Sequence, residues 1–396
     1  MLKKLGSITV LSSLGALLNF FTTFIIVHKL GLGVLGQFTI VNSITGLCSL
    51  IYTILPPNYS IFKYQDDSDY KFILSAFYIV ATAPFILILY IAYLFHSFSG
   101  LSFSIIVFNG LTTIGFYYYD IVYQATNRLY RYFTQLLLQA AIKIILMYAF
   151  YYMHILKDTT SLILATSFAQ LICLILYAND FIKNVNFSFK YVAGPVKHTY
   201  YSINKLKSYY LNAVIKRVKD NIIIVLFSNI LTADLLGLYT LFIKITSFVL
   251  SLGRSFEAFF ANRENMEKYH TSFSKKIFLL GACLQAVFLS VGLIYMKIYT
   301  HNFYTLEIAI LSLLVYPYSR FIVERMRFLG SYNNRELNIS MFFYIAFVLI
   351  SFGICKVFNY TSLHTILLVY LLSELMNFTH LIYKSIVDKS RLVKAI

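Results

Sequence analysis

The stretch Phe85-Ile-Leu-Ile-Leu-Tyr-Ile-Ala-Tyr-Leu-Phe95 contains no charged side chain. A strand of a membrane β-barrel would alternate apolar and polar residues, but this run shows no such alternation. Continuous apolar runs of about 20 residues are typical of membrane-spanning α-helices. The segment around this stretch, residues 72–94, therefore predicts a transmembrane helix.

The same pattern recurs along the chain and predicts an all-α integral membrane protein of about twelve transmembrane helices. Hydrophobic residues make up 59% of the chain and charged residues 12%, whereas soluble domains carry about 25% charged residues. These proportions exclude a soluble globular domain, and the abundance of aromatic residues excludes a disordered chain. The predicted helices span residues 7–27, 34–56, 72–94, 102–124, 132–154, 159–178, 208–230, 236–258, 277–296, 304–324, 338–355 and 362–383.

The distribution of Lys and Arg predicts how the helices are oriented. With a cytoplasmic N-terminus, 22 of these residues fall in inside segments and only 4 in outside segments, namely Lys29, Lys157, Lys297 and Lys356. Cytoplasmic loops of membrane proteins are enriched in Lys and Arg. We therefore expect a multi-pass protein of the cytoplasmic (inner) membrane, with both termini in the cytoplasm.

The longest predicted loop divides the chain near its middle. Residues 179–207 are polar and read as a cytoplasmic linker between two six-helix bundles, residues 1–178 and 208–396. The outside loops are all short, so the chain offers no extracytoplasmic domain for a catalytic site. We therefore expect a transporter rather than an enzyme.

A short repeat supports this division into halves. Leu35-Gly36-Gln37-Phe38-Thr39 begins the second predicted helix, and Leu236-Gly237-Leu238-Tyr239-Thr240 begins the eighth, 201 residues later. Six helices separate the two copies, so both enter the membrane from the same side. This arrangement predicts two bundles related by a pseudo-two-fold axis along the membrane normal.

The first copy overlaps a GxGxxG pattern, Gly31-Leu32-Gly33-Val34-Leu35-Gly36. A dinucleotide site would need a preceding strand and a βαβ unit, and neither is predicted. We therefore interpret these glycines as a tight turn between the first two helices.

Two stretches resemble a known family. His28-Lys29-Leu30-Gly31 with Leu35-Gly36-Gln37-Phe38, and Arg217-Val218-Lys219-Asp220 followed by Gly237-Leu238-Tyr239, resemble motifs of the polysaccharide flippases. These transport O-antigen and capsule repeat units and belong to the superfamily of the multidrug and toxin exporters. The resemblance implies a flippase for a polyprenyl-pyrophosphate-linked oligosaccharide, with membrane lipid, a polysaccharide polymerase and assembly proteins as partners.

Charged residues within the predicted helices are the candidate site residues. A charge at the centre of a membrane helix costs roughly 2.5–3.5 kcal/mol on insertion scales, so it marks a substrate pathway by default. The net positive charge of the set favours an anion-binding cavity, although interhelical salt bridges and snorkelling at the interface remain open alternatives. The cationic candidates are Lys143, Lys216, Arg217, Lys244 and Arg320, and the candidates for ion coupling are Asp220 and Glu374.

Other polar features receive simpler interpretations. Asp120 and the preceding Tyr117-Tyr118-Tyr119 are expected to anchor a helix end at the membrane interface. The eight His and four Cys are scattered without metal-ligand spacing, so neither a metal nor a cofactor is predicted. The basic balance is explained by cytoplasmic loops, so no nucleic-acid partner is expected.

The leading functional prediction is thus a flippase that works by alternating access. Two alternatives remain open. The first is a secondary exporter of small molecules on the same fold, and the second is a membrane enzyme of polysaccharide assembly, such as a polymerase or an acyltransferase. The positive candidate set argues against an exporter of cationic drugs, and the short outside loops argue against an enzyme.

Overall fold

The described part of the protein is α-helical, apart from its turns and connections. The structure is a computed structural model, and no strand occurs among the residues it describes. Those residues are 2–55, 60–61, 63–64, 70–95, 101–126, 128–179, 194–260, 283, 285–298, 304–315, 317–318, 321 and 334–394.

Thirteen helices within these ranges carry the argument. They are α1 (Leu2–Leu30), α2 (Leu32–Cys48), α3 (Tyr70–Val80), α4 (Thr82–Phe95), α5 (Phe103–Ala125), α6 (Leu129–Tyr152), α7 (Thr159–Leu176), α8 (Gly194–Phe227), α9 (Ala233–Phe260), α10 (Gln285–Ile298), α11 (Thr305–Ser312), α12 (Asn334–Phe358) and α13 (Leu363–Lys394). A 3₁₀ segment, Ser49–Ile54, extends α2.

Eight segments are long and apolar enough to cross a membrane. They coincide with the first six and the last two predicted helices, which confirms a helical, multi-pass membrane protein. Their ranges are Ser13–Leu30, Leu32–Ile54, Tyr70–Phe95, Phe103–Ala125, Leu129–Tyr152, Thr159–Leu176, Arg335–Phe358 and Leu363–Lys384.

The four middle predictions coincide with helices in part. α8 and α9 contain most of the seventh and eighth predicted helices, and α8 begins well before the predicted residue 208. α10 and α11 contain parts of the ninth and tenth. Residues 277–282 and most of 319–324 lie outside the described residues.

Proline explains two interruptions within the predicted spans. The span at 70–95 turns at Ala81, between α3 and α4, where Pro84 has no N–H to donate to the carbonyl of Val80. α11 ends at Ser312, next to Leu313, which stands four residues before Pro317. A proline ring clashes with the carbonyl at that position, so the helix is interrupted one turn before Pro317.

By proximity, the chain forms two compact units. Unit 1 contains residues 1–36 and 222–396, and unit 2 contains residues 37–221. α1 therefore belongs with the second half of the chain, and most of α8 belongs with the first. The predicted six-helix bundles, residues 1–178 and 208–396, were defined by the order of the helices across the membrane. This division stays a prediction.

Unit 2 is organised around packing among α5, α6 and α7. Polar side chains link α5 to α7 and to α2. Asn109 donates to Asn42 at 3.2 Å, Ser167 donates to Asn109 at 3.3 Å, and Thr112 donates to Gln170 at 2.6 Å. In an apolar environment each of these groups needs a partner, so the network fixes the register of α2, α5 and α7.

Unit 1 contains two main helix pairs, α1 with α9 and α12 with α13. α13 also packs against α9 and α11. At one end of the α12–α13 pair, Glu336 lies 3.3 Å from His380 and 3.4 Å from Lys384. At the other end of α13, His364 lies 2.9 Å from Glu307 of α11. These polar contacts therefore tie α13 to α11 and α12.

The predicted repeat is visible in unit 1. Gly31 has a φ of 88°, so it forms the predicted turn between α1 and α2. Five residues on, Gly36 faces Gly237, its counterpart 201 residues later, at the start of α9. The two copies therefore meet as equivalent positions.

The predicted orientation is testable with reporter fusions. Fusions after residues 157 and 301 should report an outside location, and fusions after residues 131, 190 and 270 a cytoplasmic one, because of the 22-to-4 division of Lys and Arg. Alkaline phosphatase and fluorescent protein fusions measure this. A cytoplasmic signal after residue 301 would contradict the twelve-helix topology.

Candidate functional site

Arg217 is the best-defined candidate in unit 2. It lies on α8, is half-buried, and its Cζ is 4.4 Å from the centre of the Tyr117 ring on α5. A guanidinium over an aromatic face gains about 0.5–2 kcal/mol, depending on how well it is desolvated. Among the described residues, no carboxylate forms an ion pair with Arg217. Its planar N–H donors are therefore oriented by Tyr117 and not neutralised by an acid.

Lys143 shows the same kind of contact elsewhere in unit 2. It lies in the middle of α6, and its Nζ is 5.1 Å from the centre of the Phe38 ring on α2. A lysine far from both ends of a membrane helix cannot easily snorkel to the interface. An aromatic face stabilises its charge, so Lys143 and Arg217 are both held as cations by rings of a neighbouring helix.

Lys216 has a partner that sequence analysis placed at the interface. Asp120 of α5 interacts electrostatically with Lys216 and accepts hydrogen bonds from Gln124 and Tyr132. This electrostatic interaction does not test the salt-bridge alternative for Lys216, which stays a prediction. The expected anchoring role is wrong for Tyr118 and Tyr119, because both are buried within unit 2; α5 turns these rings inward against the other helices.

The remaining predicted residues do not join this group. Lys244 is exposed and belongs to unit 1, and Arg320 lies outside the described residues. Asp220 is exposed and forms no ion pair with another described residue, although it stands four residues after Lys216. Whether the five cations share one cavity stays a prediction.

Glu374 occupies a buried position in unit 1. It lies on α13 with 8% of its surface exposed, and Asn377 donates a hydrogen bond to its Oε2 at 3.3 Å. Tyr239 of α9 is buried and interacts electrostatically with Glu374. The Oδ1 atom of Asn377 is buried and accepts no hydrogen bond from any described residue. A carboxylate and an amide oxygen are the ligand types that hard cations prefer.

Sequence analysis missed Tyr117, Asp120 and Asn377 as members of these sites. A signal was available for the first two, because they stand three residues apart and therefore share one face of α5. That face meets the adjacent Lys216 and Arg217 of α8. Asn377 likewise follows Glu374 by three residues, on the same face of α13.

These arrangements have different chemical capacities. The Arg217–Tyr117 pair presents a fixed guanidinium, whose geometry suits bidentate binding of a phosphate or carboxylate. Glu374 and Asn377 present oxygen atoms to a proton or a small cation. The described residues contain no group of three or more His, Cys, Asp and Glu side chains that could hold a metal ion.

No protein-family model matches the chain, and no curated protein sequence matches it either. Solved structures do. The MATE multidrug transporter DinF-BH in complex with R6G superposes with a TM-score of 0.70 at 12% identity, over 98% of this chain and 96% of that chain. The chain has the fold of the MATE transporters.

Two further structures of this fold show its range. A mutant of the Vibrio cholerae MATE transporter VcmN has a TM-score of 0.66 at 11% identity, covering 98% of this chain and 97% of that one. A MOP superfamily transporter from Pyrococcus furiosus has a TM-score of 0.61 at 12% identity, covering 96% and 94%. That protein is described as having a binding pocket of reverse polarity, which suggests a different function. These neighbours are transporters, and the likeness of this chain to them is a likeness of fold.

Proposed function

We propose that this protein is a secondary transporter that moves an anionic substrate across the membrane by alternating access. The observation that carries the proposal is the Arg217–Tyr117 pair, a half-buried guanidinium with no acidic partner among the described residues. A charge of this kind is costly within a membrane helix unless it serves a substrate or a pathway. Lys143, held over Phe38 in the same unit, adds a second cation.

The MATE-like fold supports transport, and the Pyrococcus furiosus neighbour supports a change of substrate charge. The description of that neighbour attributes a pocket of reverse polarity to a protein of the same fold. Together with the cations of unit 2, this description favours an anion-selective protein on the same scaffold. The chain carries no P-loop motif, so the proposed energy source is an ion gradient and not ATP hydrolysis.

We propose Glu374 as the coupling residue. Its carboxylate is buried beside Asn377, whose buried Oδ1 accepts no hydrogen bond from any described residue, and a proton or a small cation bound here would give that oxygen a partner. Binding of an ion here would change the charge of α13 during the cycle. Asp220, exposed on α8, is a weaker candidate for the same role.

Two classes of anionic substrate fit this proposal. The neighbours, which include a multidrug transporter, favour a small amphipathic molecule. The resemblance of the Gly31–Phe38 and Arg217–Asp220 stretches to polysaccharide flippases favours a polyprenyl-pyrophosphate-linked oligosaccharide. Both substrates carry a negatively charged group that cannot cross hydrocarbon unaided. The small-molecule class has the stronger support, because the fold likeness covers nearly the whole chain.

Proteoliposomes containing the purified protein can separate the two classes. We expect a sodium or proton gradient to drive uptake of a water-soluble, fluorescent amphipathic anion into the vesicles. A labelled polyprenyl-pyrophosphate oligosaccharide in the same membranes reports on flipping, through its accessibility to an added hydrolase. Flipping without uptake of the soluble anion would favour the flippase. The absence of both activities would contradict the proposed function.

A further inference from the structure

The first turns of α2 and α9 touch through their backbones. A methyl group added to Gly36 would lie 2.0 Å from the carbonyl oxygen of Ala233, and one added to Gly237 would lie 2.0 Å from the carbonyl oxygen of Leu32. Both distances are far below the 3.0 Å that real Cβ atoms respect. Only glycine therefore permits this approach at either position.

The two contacts are one contact repeated by symmetry. The 201-residue offset of the sequence repeat relates Leu32 to Ala233 and Gly36 to Gly237. The same offset relates Gly33 to Asp234, and a methyl group on Gly33 would lie 3.0 Å from the Asp234 carboxylate. The local two-fold axis therefore passes between these two helix starts.

Asp234 adds an electrostatic component to the contact. It is the acidic residue in the first turn of α9, whereas the first turn of α2 has none. A carboxylate is stabilising near the positive end of a helix dipole. Because Asp234 also lies beside Gly33, one carboxylate serves both helix starts, and this benefit would be lost if the helices separated.

The predicted topology places this contact on the outer side of the membrane, since α1 leads outward and α2 returns. Transporters with parallel repeats expose their site to each side in turn by rocking one repeat against the other. A contact on the symmetry axis at one face has to separate when that face opens. At the two glycines, the contact consists of backbone atoms, and one exposed carboxylate lies beside it.

We propose that the Gly36–Gly237 contact is an outer gate, closed in this structure, which separates when substrate leaves on the outer side. This inference rests on the proposed function. Side chains larger than hydrogen at Gly36 would oppose closure but not opening. The gate therefore depends on Gly36 and Gly237, which have no functional group in their side chains.

The test uses the full-length chain with Gly33→Cys and Asp234→Cys, plus a protease site in the 180–193 segment. Oxidation should join the two halves so that they stay together after cleavage. Transport should then fall at least tenfold and return on reduction. Variants that carry only one of the two cysteine substitutions should respond to neither treatment. Undiminished transport by the cross-linked protein would overturn the gate.

The conformational readout keeps the test independent of the substrate. Adding Gly36→Ala should reduce the cross-linking yield severalfold, because the helix starts are held apart. Gly353→Ala is the matched control, since a methyl group at Gly353 meets nothing within 4 Å. Equal yields in the two variants would overturn the inference. A lower yield only with Gly36→Ala, without transport of any tested substrate, would contradict the proposed function and leave the movable contact standing.

Discussion

Replacing Arg217 with alanine should reduce transport of the anionic substrate by roughly tenfold to a hundredfold while the protein still accumulates in the membrane. A hydrogen bond to a charged group contributes about 1.5–3 kcal/mol, which corresponds to that range of affinity. Arg217 lacks an acidic partner among the described residues. Its removal therefore leaves no described carboxylate without an ion-pair partner. Flux in proteoliposomes and immunoblots of the membrane fraction measure the two quantities.

Conservative variants separate a binding role from a structural one. Arg217→Lys should be partly active, because lysine keeps the charge but loses bidentate geometry. Tyr117→Phe should retain activity, since the aromatic face remains, whereas Tyr117→Ala should lose most of it. Arg335→Ala is the matched control, because Arg335 is exposed at the start of α12. Normal flux in Arg217→Ala at normal abundance would contradict the anion site.

Replacing Glu374 with glutamine should abolish gradient-driven accumulation of substrate, with a loss of at least tenfold. The side chains have nearly the same shape, and a glutamine oxygen can still accept the hydrogen bond that Asn377 donates to Glu374. The fold should therefore persist while the charge that binds the coupling ion is lost. Uptake with and without an imposed sodium or proton gradient checks this result.

Glu336→Gln provides the control for Glu374. Glu336 is also an acid of unit 1, but its carboxylate lies 3.4 Å from the Lys384 ammonium and 3.3 Å from the His380 ring. Its neutralisation should leave gradient-driven uptake close to the native value. If Glu374→Gln accumulates substrate against a gradient as well as the native protein does, Glu374 is not the coupling residue.

The fold could be predicted from the sequence to the extent that local patterns determine it. Apolar runs such as Phe85–Phe95 predicted most helices, because only helices satisfy the backbone across a membrane. The repeated Leu-Gly at 35–36 and 236–237 predicted equivalent positions, and the structure brings the two glycines into contact. The break one turn before Pro317 follows from proline geometry, because the ring clashes with the carbonyl four residues earlier.

The sites were less predictable, because they depend on contacts between distant residues. Arg217 could be recognised as a charge within a helix, but its contact with Tyr117, 100 residues earlier in the chain, depends on how α5 and α8 pack. The same packing turned Asp120 from an expected interface anchor into a partner of Lys216. The three-residue spacing places Tyr117 and Asp120 on one face of α5, but no periodicity specifies which helix that face meets.

The most direct test of the account compares three fluorescent amphiphiles that differ only in a phosphate, a hydroxyl or an ammonium headgroup. Their gradient-driven flux is measured in proteoliposomes with the native protein and with Arg217→Ala. The account predicts that the phosphate compound moves at least tenfold faster than the other two and that Arg217→Ala removes this preference. Faster transport of the ammonium compound, or a phosphate preference that survives in Arg217→Ala, would contradict it.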